Sequence, residues 1–385
     1  MNSLPNVITK TFNQEEYKTY IFTVDLKNVE TLENVMTIYS NLIDYIKANK
    51  LNIVYEKYFG KNSVINELTQ RRDDILLNYG ITKPPMMYVE GLSIYNTPMS
   101  GIHVYAIDID NQTAIRYIKD DLNKVIGSEI STKKMKALHL FISTKKQETV
   151  QREFDELFHD IDKNIVGNGY ACTDIIRTWI YLNDIFKDYK VLNDSRREFF
   201  KNVGINYSSS SAVLPASTCI QGKGVLDSSN IHTYCIKKSK SNVAISRVYN
   251  EFQNEAEGNE YLYRPTFSRG LILNYDACTE LQVSGTASIN KNGETIYKND
   301  PYKQIEYTLL NIKNILSKAN MDFSDLCNVA CYFKSPEYYM EFQEIVRKLE
   351  IGDFAACYMV ADVCRDDLLF ELDGIAFKNK TISNT

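Results

Sequence analysis

Long hydrophobic runs are missing from this chain. No stretch approaches the ~18 apolar residues that a membrane-spanning helix needs, and the opening MNSLPNVITKTFNQ has no charged segment followed by an apolar one. Neither a membrane span nor a signal peptide is expected, so the expected location is cytoplasmic and no membrane partner is expected. The eight cysteines include no CxxC pair, and several sit inside apolar stretches, so they read as reduced thiols. The four histidines, His103, His139, His159 and His232, show neither HxH nor HExxH spacing, so no metal and no other cofactor is expected. Positive charge is in deficit: 44 Lys and Arg against 49 Asp and Glu leave a net charge of −5. That balance gives no general field for nucleic acid, and any anionic ligand needs a local basic pocket. The basic run Lys237–Asn242, KKSKSN, lacks interleaved aromatics and reads as an exposed loop.

The composition is that of a folded protein, with 44% hydrophobic and 24% charged residues. A length of 385 residues suggests two cores. YKTYIFTVDL, from Tyr17, reads as a strand, and Val29, Leu32, Val35, Ile38, Leu42 and Ile46 make the apolar stripe of a helix over Val29–Lys47. Val54–Phe59, Met86–Val89 and Ile102–Ile109 read as further strands, and Val64–Leu76 as a helix. A second pattern follows. Val150, Phe154, Leu157, Ile161 and Ile165 recur at helical spacing; IIRTWIYL (Ile175–Leu182) reads as a strand; a helix covers about Tyr189–Phe200; a Ser-rich loop holds Ser208–Ser211. The order recurs in the helix Ile305–Ala319, the strand Val329–Phe333, the helix Tyr339–Leu349 and a last strand. Laying Tyr181-Leu182 over Tyr332-Phe333 aligns the flanking helices, so two copies of one module are expected. The division is placed as residues 1–225 and 226–385.

VSGTASI (Val283–Ile289) together with the segments up to RDDLLFELDGIA makes the C-terminal part resemble the RidA (YjgF) family of small trimeric α+β proteins. The ordered set RTWIYL, PASTCI, FSRGL (Phe267–Leu271), SGTASI and VCRDDLLFEL (Val363–Leu372) resembles the chorismatases, which carry two such units in one chain. The resemblance runs from about residue 175 to 375. It implies an α+β fold of two fused RidA-like units, each a mixed sheet with helices on one face, acting as a monomer or homotrimer. It also implies an activity: removal of the enolpyruvyl group of chorismate, giving pyruvate and either a 3- or 4-hydroxybenzoate or a dihydroxycyclohexadiene carboxylate.

That reaction protonates the terminal carbon of a vinyl ether, so it needs a carboxylic acid that stays neutral near pH 7. Glu371 fits by its place in the motif. The alternation of DDLLFELDG puts Leu368, Phe370 and Leu372 on a core face and Asp367, Leu369, Glu371 and Asp373 on the other, which would line a cleft. Cys364 resembles the cysteine near the reactive ring in hydroxybenzoate-forming chorismatases. It can join Glu371 only across a bulge or turn, expected at Arg365-Asp366. Arg269 and Arg177 are the candidate anchors for the two substrate carboxylates. Arg177 lies in an apolar strand, so either a structural carboxylate or a bound anion must compensate it. Tyr263 could bond a carboxylate or merely pack, and Ser284-Gly285-Thr286 could hold a carboxylate or ring hydroxyl or be a plain strand end.

Two departures stand out. Small RidA proteins hold an imine substrate's carboxylate with an arginine in a PARSC-like segment; here Ser217 and, in the second copy, Ala356 take that place. PASTC also carries Cys219 where glycine is commoner. The alternatives to a chorismatase are a RidA-type enamine or imine hydrolase, disfavoured by the missing arginines, and a non-catalytic small-molecule-binding regulator.

Overall fold

Helices form where an apolar stripe follows a capping side chain, and strands fill the intervening apolar runs. The structure, a computed structural model, describes residues 4–14, 16–109, 113–205, 213–253, 265–352 and 354–380. Tyr263 and the Ser208–Ser211 loop lie outside the described residues. The first part comprises β1 (Val7–Gln14), β2 (Tyr17–Val24), α1 (Leu32–Ala48), β3 (Leu51–Gly60), α2 (Ile65–Asn78), β4 (Met86–Glu90), the short β5 (Leu92–Ser93) and β6 (Met99–Asp108). The second comprises β7 (Ala114–Lys119), β8 (Val125–Ser131), β9 (Lys136–Ser143), α3 (Val150–Gly167), β10 (Ile175–Leu182), α4 (Ile185–Asn202), β11 (Ala216–Gln221) and β12 (Asn230–Ile236). The third comprises β13 (Ala244–Arg247), β14 (Gly270–Asn274), β15 (Cys278–Ala287), α5 (Pro301–Ser317), β16 (Leu326–Phe333), α6 (Tyr338–Lys348), β17 (Ala356–Val360) and β18 (Phe370–Asn379).

The helix starts differ from the sequence expectation because caps decide them. Thr31 accepts from the Asn34 amide at 3.2 Å, so α1 begins at Leu32 and not at Val29. Asp184 accepts from the Lys187 amide at 3.2 Å, which starts α4 a turn before Tyr189.

The sheet orders are β1-β2-β6-β3-β4, β11-β10-β12-β9-β8-β7 and β13-β14-β15-β18-β16-β17-β5. Within each, antiparallel strands, two in the first and three in the second and third, lead through a helix to a central strand, then through a second helix to a strand parallel to it, and a last strand inserts beside the central one. The chain therefore holds three units of one topology, where the sequence reading counts two. The expected break after residue 225 falls inside the second unit, because β12 pairs with β9 and β10.

Each unit packs its helices on one sheet face, as Val35, Tyr39, Leu42, Ile43 and Ile46 of α1 do in the first. Burying each such side chain contributes roughly 1.5–3 kcal/mol. The opposite faces of all three sheets turn inward and share a fourth core that includes Ile21, Tyr55, Trp179, Ile220, Leu273 and Phe377. Strands buried on both faces lose the polar alternation that marks a surface strand. The ring of units closes on itself. Glu90 N donates to Lys223 O (2.8 Å) between the first and second, Ser217 N to Ser284 Oγ (2.9 Å) between the second and third, and β5 pairs with β17 between the first and third. No described helix is long and apolar enough to cross a membrane.

Candidate active site

β18 brings the site together. Phe370 and Leu372 enter the helix-side core, and Glu371 and Asp373 point inward. The other members of the expected faces do not lie in the strand. Leu368 joins the central core, and Asp367 is outside the cleft, paired with Lys298 at 3.0 Å. A turn in which Leu368 N donates to Arg365 O (3.2 Å) supplies the break between Cys364 and Glu371. Both residues line one cleft between the second and third units. The second unit contributes Tyr189, Arg196, Ser217 and Cys219; the third contributes Phe267, Arg269, Gly285 and a short apolar wall of Ala287 and Ile289.

Glu371 is 5% exposed, and no described residue hydrogen-bonds its carboxyl. Burial, reinforced by the charge of Asp373, lifts its pKa to about 8 against the opposing pull of Arg269 and Arg177. The acid is therefore protonated at neutral pH. The β15–β18 register shifts between Val283 and Thr286, and this bulge places Gly285 beneath the carboxyl. A Cβ on Gly285 would stand 2.1 Å from Glu371 Oε1, so any larger residue here would displace the carboxyl from this position.

Arg269 is 2% exposed, and its Nε and Nη2 have no hydrogen-bond partner among the described residues. Its guanidinium lies 5.1 Å from the Phe267 ring centroid, which is open to the same cavity. A buried guanidinium with unused donors is built for an anion. Cys364 sits beside Glu371, and burial together with that neighbour pushes its thiol up to about 12.

Arg177 is elsewhere. It is fully buried, and its Nη2 donates to Asp373 Oδ2 (2.9 Å) and Thr218 Oγ1 (2.5 Å) while its guanidinium covers Trp179 at 4.7 Å. Of the two readings left open, the structural carboxylate holds, and Arg177 is no part of the cavity wall. Ser284 is also internal: its hydroxyl donates to Ser268 O (2.5 Å) and accepts from Ser217 N (2.9 Å). Thr286 Oγ1 donates to Ser284 O (2.9 Å). Of the expected Ser-Gly-Thr turn, only Gly285 reaches the cavity.

Arg196 was missed. Its Nη1 donates to Ser217 Oγ at 3.2 Å, so a guanidinium from α4 reaches the place where the sequence reading finds the arginine of the RidA motif lost. The signal was present in the sequence, because Leu192, Arg196 and Phe200 share the buried stripe of α4.

The other two interfaces lack an acid at the matching place. Glu371 is the register partner of Tyr332; Asn230 partners Tyr181, and Gly101 partners Phe59. Asn230 is bound by Ser143 Oγ at 2.6 Å, and a Cβ on Gly101 would stand 2.2 Å from Cys357 Sγ.

Residues 272–378 match the family described as Endoribonuclease L-PSP. The chain is 26% identical over 232 residues to a "3-hydroxybenzoate synthase" of Streptomyces hygroscopicus, a match covering 54% of this chain and 64% of that protein. The match thus spans less than two thirds of the relative's length. A solved chorismatase superposes with a TM-score of 0.61 at 15% identity, covering 84% of this chain and 93% of the other. The chain has the chorismatase fold.

Proposed function

We propose that this chain, a chorismatase-fold protein, cleaves the enolpyruvyl ether of chorismate to pyruvate and a hydroxybenzoate, the 3-isomer by analogy with its Streptomyces relative. The observation that carries the reading is the pairing, in one cleft, of a protonated Glu371 with an Arg269 whose Nε and Nη2 have no hydrogen-bond partner among the described residues. Arg269 holds one substrate carboxylate and Arg196 the other. Glu371 gives its proton to the terminal methylene of the enolpyruvyl group, generating an oxocarbenium ion. Water adds to the cation with loss of a proton, and the hemiketal collapses to pyruvate and the ring alcohol; on the path to the hydroxybenzoate the ring also loses one water, so the net products are pyruvate and hydroxybenzoate alone. The developing positive charge meets the carboxylate left on Glu371, which favours the transition state more than the bound substrate. The enamine or imine alternative is less well served, since its acid-base needs do not account for an acid held neutral to about pH 8.

The test is incubation with chorismate, pyruvate release being coupled to lactate dehydrogenase and the aromatic product identified by chromatography. Tight binding of chorismate without pyruvate release would make the protein a binder only, and turnover of an enamine in place of chorismate would favour the RidA-type hydrolase. Arg269→Ala is expected to raise KM roughly 30-fold or more, equivalent to ~2 kcal/mol or more, with a smaller fall in kcat. An unchanged KM removes Arg269 from carboxylate binding. Cys364 stands beside the ring position, where it steers the cation toward aromatisation. Cys364→Ala is expected to keep releasing pyruvate while giving relatively more diene diol, because paths ~1.4 kcal/mol apart already differ tenfold. Unchanged product proportions would leave Cys364 a packing residue.

A further inference from the structure

Six of the eight cysteines are buried, and the two that are only partly so, Cys219 and Cys364, line the same cleft. Ile220 of β11 forms an isolated antiparallel bridge with Val363, and Gln221 N donates to Asp362 O at 2.9 Å along the same pairing. In an antiparallel pair one step back on one strand is one step forward on the other, which sets Cys219 directly opposite Cys364. Residues so opposed have Cα atoms roughly 4.5–5.5 Å apart and side chains on one face. That spacing lies inside the ~4.4–6.8 Å range of a disulfide. Both thiols also pack at the margin of the second unit's core.

We propose that Cys219 and Cys364 form a thiol–disulfide exchange site that takes a low-molecular-weight disulfide and closes to a reversible Cys219–Cys364 bond across the cleft wall. One thiolate attacks a sulfur of the disulfide RSSR, forming a protein–SR mixed disulfide and expelling RS⁻. The second thiolate attacks the protein sulfur of that intermediate, forming the internal S–S bond and expelling the second RS⁻. The two protons lost by the cysteines end on two RSH, which carry the two electrons, so the protein is oxidised and RSSR reduced.

Burial is the main cause that raises both thiols, Cys364 to about 12, with Arg365 and Arg269 opposing at Cys364 and Arg196 at Cys219. The attacking thiolate is therefore scarce at neutral pH, and the exchange is slow there and accelerates with pH. On the reading given above, closure also draws the Cys364 thiol from the Tyr189 hydroxyl that it bonds and narrows the cleft over Glu371.

The full chain, incubated with oxidised glutathione, alkylated and digested, is expected to lose two alkylation sites and yield one cross-linked peptide pair joining Cys219 to Cys364. The rate should rise about tenfold per pH unit from pH 7.5 to 9.5, and dithiothreitol should restore both sites. In Cys219→Ser, Cys364 is expected to retain glutathione as a mixed disulfide. Full alkylation of both cysteines after exposure, glutathione retained on each without a cross-link, or cross-links through other cysteines would overturn the proposal. The wild-type map decides it even where the variant does not fold. Because no step uses chorismate, its failure is separate from a failure of the proposed activity.

Discussion

Glu371→Gln is expected to cut turnover by ~10²–10⁴ while changing chorismate affinity far less, because the proton it supplies acts only in the transition state. Glutamine keeps the shape above Gly285 and the neutrality of the protonated acid, so the cleft should persist. The pH dependence has a definite sign. A carboxyl lifted to about 8 is active when protonated, so kcat/KM of the free enzyme holds below that value and falls above it. Stability follows the same group. The unfolded chain releases this proton near pH 4.5 and the native state near 8, so the native state holds more protons between those values and stability falls as pH rises across that window. Glu371→Gln removes that loss, so at pH 8 the variant should melt no lower than wild type. A variant retaining a third of wild-type turnover would take Glu371 out of the mechanism.

Arg177→Ala is expected to destabilise the fold by ~3–5 kcal/mol, since it leaves Asp373, 2.9 Å away and almost wholly buried, without its cation. Thr218 would be the acid's remaining hydrogen-bond partner, through Oγ1 at 2.6 Å. Thr218 also accepts the Gly285 amide at 3.0 Å, so the loss reaches the floor of the cleft. Denaturant unfolding, with and without ligand, measures the effect. An Arg177→Ala protein of native stability that has lost only affinity would restore the reading of Arg177 as a ligand for substrate.

Helices were legible because each shows one apolar stripe, and their starts were misplaced where Thr31 and Asp184 went unread as caps. The count of units was not legible. What makes the first unit a copy is strand order, with β6 inserted between β2 and β3, and residue periodicity does not record which strands pair. The strands β7, β8 and β9, between Ile109 and Val150, were left unassigned, although Asp120–Asn123, where the Asp120 carboxylate accepts from the Leu122 and Lys124 amides, marks the turn between β7 and β8. Glu371 was singled out by the resemblance of its motif, and alternation added only that it lies on the face opposite Phe370 and Leu372. Arg177 was ambiguous because its partner Asp373 lies 196 residues away, across a unit boundary. Arg196 was legible in principle, as an arginine on an apolar stripe. The Ser284 hydroxyl was left open between a ligand contact and a plain strand end, since its partners Ser217 and Ser268 are fixed only when β11 docks beside β15.

The central claim is that Glu371 delivers a solvent-exchangeable proton to the enolpyruvyl methylene. The direct test runs the reaction with chorismate in deuterium oxide, traps pyruvate at once as lactate with lactate dehydrogenase, and counts deuterium in the methyl group by mass spectrometry. One deuterium per methyl group is the predicted result. Pyruvate released with an unlabelled methyl group would contradict it.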